Sequence, residues 1–220
     1  MTGSISRKID LIKQQIPDNI SLIAITKQTS IDAMREAYAA GVRDFGENRL
    51  QEALSKQEQL QDLPDISWHF IGHVQKNKAQ KIIENFDWIH SVDSLVLARR
   101  LDRLCADLAC KPKVFIQVKI LSDPNKYGWH ATELLADLVE LNECQNIDIQ
   151  GLMTILPWGL STVETRSAFE ETKKLATTIQ QKNFPNLSME QLSMGMSADY
   201  LLAIEAGATM IRLGRIIFSD

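Results

Sequence analysis

The sequence has little of the features that mark membrane, secreted or nucleic-acid-binding proteins. Three of its 220 residues are cysteines, and their odd number and irregular spacing match no common zinc motif. No stretch approaches the ~18 consecutive apolar residues of a membrane span, and the first residues lack the apolar core of a signal peptide. A net charge of −4 gives no general attraction to nucleic acid or to an anionic membrane. These absences favour a protein of the reducing cytoplasm.

The composition is that of an ordinary globular protein. Apolar residues make up 45% of the chain and charged residues 24%, and 220 residues suit one domain with a sizeable core. No low-complexity stretch or linker interrupts the chain. We therefore expect a single domain over residues 1–220.

Eight short apolar runs, several rich in β-branched residues, alternate with helical segments along the chain. The predicted strands cover residues 21–26, 44–48, 68–73, 88–92, 114–119, 147–154, 191–193 and 210–213. Regular alternation of strand and helix predicts a parallel sheet with helical crossovers. Eight units without a break favour an α/β fold of the closed (β/α)8 kind, a TIM barrel.

Two glycine-containing segments follow the last two predicted strands, where barrels of this kind often bind phosphate. After the seventh strand, Ser197 is expected to cap a short helix over residues 198–206. The N–H groups at such a helix start favour an anion, and Gly195 lets a ligand approach the backbone. Gly214 follows the eighth strand. Together the two segments predict a phosphate site.

Chemistry in such barrels collects where the strands end. The residues at or just after the predicted strand ends are Lys27, Asn48, His73, Ser91, Asp93, Lys119, Met153, Ser193 and Arg212. Lys27 closes an apolar strand, so we expect a part-buried and nucleophilic amine. With a phosphate site nearby, this suggests an imine with a phosphorylated aldehyde such as pyridoxal 5′-phosphate. The alternative is that Lys27 simply reaches solvent.

Arg212 shares the inward alternation of its strand with Gly214. A guanidinium offers only donors and keeps its proton, so one that faces a pyridine nitrogen would leave that nitrogen unprotonated. The alternative for Arg212 is a surface ion pair.

Two other patterns receive ordinary structural interpretations. His69 and His73 are four residues apart, like a metal pair on a helix, but the aromatic residues around them indicate a strand. There the separation is roughly 13 Å, too far for one metal, and no metal site is expected. Lys76, Lys78 and Lys81 are more typical of a solvated helix face than of a nucleic-acid site.

The order of the motifs identifies a resemblance that covers nearly the whole chain. The stretches that carry it are Lys27 after Ile-Ala-Ile-Thr, Phe45-Gly46-Glu47-Asn48-Arg49, Gly72-His73-Val74-Gln75-Lys76-Asn77-Lys78, His90-Ser91-Val92-Asp93, Lys126-Tyr127-Gly128, Gly151-Leu152-Met153-Thr154, Ser193-Met194-Gly195-Met196-Ser197 and Arg212-Leu213-Gly214. The chain resembles the pyridoxal phosphate homeostasis proteins (the YggS/PROSC family), with a cyanobacterial member as one expectation.

The resemblance implies a barrel like the N-terminal domain of alanine racemase. It implies pyridoxal 5′-phosphate held as an internal aldimine on Lys27, with Arg212 facing the pyridine nitrogen. The phosphate contacts that it implies are Ser193, Gly195, Ser197 and Gly214. The implied ring contacts are Asn48, His73 and Met153.

Family members are expected to buffer or deliver the cofactor, with effects on amino-acid and keto-acid metabolism, without turning over a substrate. The implied partners are the cofactor itself and apo-enzymes or a regulatory protein, and monomer is the default state.

One alternative is an enzyme of the alanine racemase type, but racemisation needs a second base. The domain that supplies this base is expected to be absent, and Tyr127 is the one remaining candidate. Another alternative is an aldolase-type lysine acting on a sugar phosphate, in which Arg212 would have no role.

Overall fold

The computed structural model describes residues 4–123 and 126–219. The strands are β1 Ser21–Ile25, β2 Asp44–Glu47, β3 Ser67–Phe70, β4 Trp88–Val92, β5 Lys113–Val118, β6 Asp148–Thr154, β7 Leu187–Ser193 and β8 Met210–Leu213. The helices are α1 Ile5–Lys13, α2 Ile31–Ala39, α3 Leu50–Gln59, α4 Ala79–Asn85, α5 Leu95–Leu108, α6 Ala131–Asn142, α7 Thr162–Gln180, α8 Tyr200–Glu205 and α9 Arg215–Phe218. A 3₁₀ turn, Lys76–Lys78, precedes α4.

The eight strands form one closed barrel in chain order, and β8 pairs in parallel with β1. This confirms the predicted (β/α)8 fold. Each of the first seven strands is followed by a helix that returns the chain to the start of the next strand, and β8 is followed by the short α9. All strand ends therefore meet at one end of the barrel, where the predicted site residues lie.

The core has two layers because side chains of a strand alternate between its faces. The outer layer packs the sheet against the helices and includes Phe45 and Phe169. The inner layer fills the barrel with Ile23, Ile25, Phe115, Met153 and Met210. Since Ile23 and Ile25 point inward, position 27 continues the inward series just beyond the end of β1.

The segment after β7 differs from the sequence prediction. The helix begins at Tyr200 rather than at residue 198, with Asp199 as its N-cap. Asp199 Oδ1 accepts the N–H of Met196 at 2.6 Å, which holds residues 197–199 in a turn. The prediction that Ser197 caps this helix is therefore wrong. The short helix α9 was not predicted.

Within the two described ranges, no helix is both long and apolar enough to cross a membrane.

Candidate functional site

Four of the predicted site residues follow the ends of four adjacent strands. Lys27 follows β1, Asn48 follows β2, Gly195 follows β7 and Gly214 follows β8, and these strands are neighbours in the order β7-β8-β1-β2. We call this arc the mouth site. The fold thus brings together residues that are up to 187 positions apart in the sequence (214 − 27).

Lys27 is exposed, so the expectation of a part-buried amine is wrong. In the described part of the chain its amine has no partner. The next residue, Gln28, has a positive φ of 59°, and its N–H donates to Glu52 Oε1 at 2.6 Å. The backbone turns away here, which leaves the inward Lys27 side chain in the open mouth of the barrel.

A buried ionic cluster lies directly behind Lys27, on the outer side of the barrel wall. Lys56 Nζ donates to Thr26 O at 2.6 Å, to Glu47 Oε1 at 2.8 Å and to Glu52 Oε1 at 2.7 Å. Burial raises the pKa of Glu47, against the lowering effect of its hydrogen bonds from Lys56 and Thr26. The cluster fixes the Thr26 carbonyl, one residue before Lys27, and so holds the end of β1.

Sequence reasoning missed this cluster. The only local signal was the i,i+4 spacing of Glu52 and Lys56, which is common on exposed helices. Nothing in the sequence indicated that Lys56 would be buried against Glu47.

Unpaired backbone donors line the β7 and β8 side of the mouth site. Among the described residues, the N–H groups of Gly195, Ser197, Ala198 and Gly214 have no acceptor. The two segments are tied together, because Ser197 Oγ accepts the N–H of Ile216 at 3.4 Å. Free N–H groups that converge from two segments form a concavity suited to an anion.

The glycine at position 195 has a structural reason besides ligand approach. Its φ is +93°, and a Cβ there would lie 2.6 Å from Ala203 Cβ on α8. Only glycine adopts this backbone without strain and lets α8 pack so close. The turn that presents the free N–H groups therefore depends on Gly195.

Arg212 is buried inside the barrel, only 3% exposed, so the surface ion pair considered for it is wrong. It donates from Nη1 to Ser193 Oγ at 2.6 Å and from Nη2 to Thr154 O at 2.8 Å. The remaining donors of its guanidinium have no partner in residues 4–123 and 126–219. Burial lowers the pKa of Arg212 to about 10, and nearby Asp199 opposes that shift. The guanidinium therefore stays charged at neutral pH.

Ser193 and Met153 lie deeper than the other predicted contacts. Ser193 Oγ is fully buried between Arg212 and His90 Nδ1, at 2.8 Å from the latter. Met153 is fully buried and packs in the interior cluster with Ile25. Both residues form the floor beneath the mouth site, and their contacts with a ligand stay predictions.

Asn48 and His73 lie on the β2 and β3 side. Asn48 Oδ1 is buried and has no partner among the described residues. His73 Nδ1 lies 2.9 Å from Asp93 Oδ2, and its ring stacks on Tyr127 with centroids 3.9 Å apart. Asp93 and Tyr127 thus hold the His73 ring at the rim of the mouth site. Asn48 offers an acceptor inside the site that has no partner within the described ranges.

His69 lies within β3, whereas His73 lies beyond the end of that strand. His69 is fully buried, and its Nε2 lies 2.9 Å from Asp44 Oδ1. The part of the chain that the structure describes contains no group of three or more His, Cys, Asp or Glu side chains that could hold a metal ion.

Comparison with known sequences places the chain in a family. The model of the alanine racemase N-terminal domain matches residues 2–220. The pyridoxal phosphate homeostasis protein of Synechocystis sp. is 52% identical over 205 residues, 93% of each chain. This chain belongs to the pyridoxal phosphate homeostasis protein family. The family member of Escherichia coli K12 is 36% identical over 207 residues, 92% of this chain and 86% of that protein.

Solved structures agree with this assignment. PipY of Synechococcus elongatus PCC7942 with PLP bound is 47% identical, with a TM-score of 0.94, over 98% of this chain and 100% of that one. Alanine racemase of Clostridium difficile in complex with cycloserine has a TM-score of 0.82 at 16% identity, over 99% of this chain and 59% of that one, and supports the fold alone. The resemblance stated from the motifs, including its cyanobacterial relatives, is confirmed.

Proposed function

We propose that this protein binds pyridoxal 5′-phosphate at the mouth site and takes part in homeostasis of the cofactor. In this role it holds the cofactor and passes it on, without turning over a substrate. The observation that carries the proposal is the set of polar groups without partners on four adjacent strand ends. Unsatisfied buried or half-buried polar groups are rare in folded proteins and call for an explanation.

The chemistry of these groups fits the parts of the cofactor. The exposed amine of Lys27 is free to bind an aldehyde. The free N–H groups of Gly195, Ser197 and Gly214 fit a phosphate. The remaining donors of Arg212 fit a pyridine nitrogen, and Asn48 Oδ1 fits a hydroxyl donor on the ring. His73 would line the rim.

The deeper residues complete the proposed pocket. Met153 would form its apolar floor, and Ser193 would support Arg212 rather than reach the phosphate with its hydroxyl. When bound, the cofactor supplies an aldehyde and an electron-withdrawing ring. A guanidinium that cannot give up its proton leaves the ring nitrogen unprotonated and the ring a weaker electron sink. This supports a holding role over catalysis.

The test of binding is the visible spectrum of the protein with pyridoxal 5′-phosphate, followed by borohydride reduction and peptide mapping. We expect a yellow protein whose reduced label maps to Lys27, and a Lys27→Ala variant that takes no label. Lys119→Ala is the matched control, because Lys119 follows β5 at the same end of the barrel. Labelling that persists in Lys27→Ala, or is lost in Lys119→Ala, would contradict the assignment. A protein that stays colourless and binds a sugar phosphate would favour the aldolase-type alternative.

The test of the non-catalytic role uses the loaded protein and a panel of amino acids. We expect racemisation and decarboxylation rates no higher than those of the free cofactor, and transfer of the cofactor to an apo-enzyme. Rapid turnover of one amino acid that is lost in both Lys27→Ala and Tyr127→Phe would establish the racemase alternative instead.

We also propose that the protein is a cytoplasmic monomer. Its three cysteines are free thiols in the structure, as expected in a reducing compartment. Size-exclusion chromatography with light scattering checks the mass against 24.8 kDa.

A further inference from the structure

An unbroken line of hydrogen bonds crosses the interior of the barrel below the mouth site. It runs from Arg212 Nη1 to Ser193 Oγ at 2.6 Å, and from Ser193 Oγ to His90 Nδ1 at 2.8 Å. It continues from His90 Nε2 to His69 Nδ1 at 2.9 Å, and from His69 Nε2 to Asp44 Oδ1 at 2.9 Å. We call these five residues the interior chain.

With both imidazoles neutral, the acceptor-only carboxylate of Asp44 sets one direction for every proton in the interior chain. The Ser193 hydroxyl accepts from Arg212, which can only donate, and beside a neutral His90 it gives its own proton to His90 Nδ1. His90 then carries its own proton on Nε2 and donates to His69 Nδ1. In turn His69 carries its proton on Nε2 and donates to the Asp44 carboxylate, which can only accept.

The surroundings hold both rings and favour a neutral imidazole at His90. His69 and His90 are both fully buried. Trp88 stacks on the His69 ring at 5.6 Å, and Phe115 lies against the His90 ring at 4.6 Å. Burial lowers the pKa of His90 well below its usual value, and the nearby charge of Arg212 lowers it further. The rings are thus held in one orientation, each with one donor and one acceptor nitrogen in use.

The two ends differ in their exposure to water. Arg212 is nearly inaccessible, while the Asp44 side chain is 34% exposed at the first residue of β2. Ser67 Oγ, 3.3 Å from His69 Nε2, is a second neighbour at that end. The acceptor end of the interior chain therefore lies in contact with solvent, while its other links are buried.

We propose that the interior chain is a positioning device in which Asp44, through His69, His90 and Ser193, fixes the guanidinium of Arg212 toward a ligand in the mouth site. Ser193, His90, His69 and Asp44 are positioning residues, since only Arg212 faces the ligand. The role of Arg212 as a ligand contact rests on the proposed function. The direction of the protons does not, because it follows from the chain's own residues.

The experiment reads histidine tautomers in the ligand-free protein by long-range ¹H–¹⁵N correlation NMR near neutral pH. We expect His69 and His90 to be neutral with the proton on Nε2. Asp44→Asn is the test variant, because an amide can donate as well as accept and so removes the forced direction. Asp93→Asn is the matched control, since Asp93 contacts His73 at the rim. Asp44→Glu keeps an acceptor-only group and should retain the wild-type tautomers.

Ligand affinity is measured in parallel by titration with pyridoxal 5′-phosphate. We expect Asp44→Asn to shift the tautomers of His69 and His90 and to weaken binding about three- to tenfold, with Lys27 still labelled by borohydride. Asp93→Asn should alter only the signals of His73. A proton on Nδ1, or a charged ring, at His69 or His90 in the wild type would overturn the proposal. Weaker binding in Asp44→Asn without any tautomer shift would overturn it as well. Failure of the proposed function would show separately, as wild-type protein that binds no cofactor.

Discussion

The inner and outer faces of the barrel wall at the ends of β1 and β2 each carry a lysine, one without hydrogen-bond partners in the described ranges and one fully paired. Lys27, on the inner face, is exposed and has no partner in the described ranges. Lys56, on the outer face, is buried and donates to three oxygens. The outer lysine ties down the Thr26 carbonyl at the end of β1, and the inner one, one residue further, is left without a bond of its own in those ranges. Saturated polar groups thus mark the scaffold here, and unsaturated ones mark the site.

The acidic and amide side chains at the end of β2 repeat the contrast with one exception. Glu47 Oε1 accepts from Lys56 and Thr26 on the outer face, but Glu47 Oε2 is buried and has no partner among residues 4–123 and 126–219. Asn48 Oδ1, on the inner face, also has no partner within those ranges. We call the buried ion pair between Lys56 and Glu47 the outer pair. Burial raises the pKa of Glu47, so removing its counter-charge should cost a large amount of unfolding free energy.

The largest effect is expected from breaking the outer pair. Lys56→Met should leave the Glu47 carboxylate buried without its counter-charge and cost about 3–5 kcal/mol of unfolding free energy. Lys27→Met, the matched change on the inner face, should alter it by no more than about 0.5 kcal/mol. Urea unfolding of the ligand-free proteins measures both values.

A second variant distinguishes the lost pair from a packing defect. Adding Glu47→Gln to Lys56→Met removes the unpaired charge and should recover more than half of the loss. Equal losses in the two lysine variants would refute the contrast between the faces.

The barrel and the arc of strand ends were predictable from the sequence because they depend on local periodicity. Alternation along β8 placed Arg212 inward, and the structure buries it there. Alternation alone could not decide between a part-buried Lys27 and the solvent-exposed alternative that the structure shows, because the outcome depends on the turn at Gln28 and its bond to Glu52 on the next helix. The pairs Lys56–Glu47 and His69–His90 join different elements and depend on how strands and helices align in three dimensions. No spacing in the sequence encodes those alignments.

A similar comparison can be made between His90, buried in the barrel interior, and His73, half-exposed at the rim. Because the pKa of His90 is lowered in the folded protein, the unfolded chain binds more protons at low pH. The stability that a neutral His90 provides is complete above about pH 6.5 and is lost as pH falls below that value, by at most about 1.4 kcal/mol per pH unit. Unfolding free energies between pH 8 and pH 5 measure this slope.

His90→Gln should remove this part of the pH dependence, whatever it does to the absolute stability. His73→Gln, at the half-exposed rim position, is the matched comparison, because His73 lies outside the interior chain. The raised pKa of Glu47 acts in the opposite direction as pH falls, but it is common to all three proteins and cancels in the differences. A slope that disappears in His73→Gln instead would place the responsible proton at the rim.

The smallest effects are expected from two asparagines that differ in whether their side-chain oxygen is paired. Asn142 Oδ1 accepts the N–H of Asn186 at 3.1 Å, so Asn142→Ala should cost about 1 kcal/mol of stability and leave cofactor affinity unchanged. Asn48→Ala removes an acceptor that has no partner within the described chain, so it should change stability by less than about 0.5 kcal/mol and weaken cofactor binding roughly tenfold. Urea unfolding without ligand and titration with pyridoxal 5′-phosphate give the two pairs of values. A stability loss in Asn48→Ala as large as that in Asn142→Ala would mean that Asn48 serves the fold, and the inner face would no longer be the one that is kept free for a ligand.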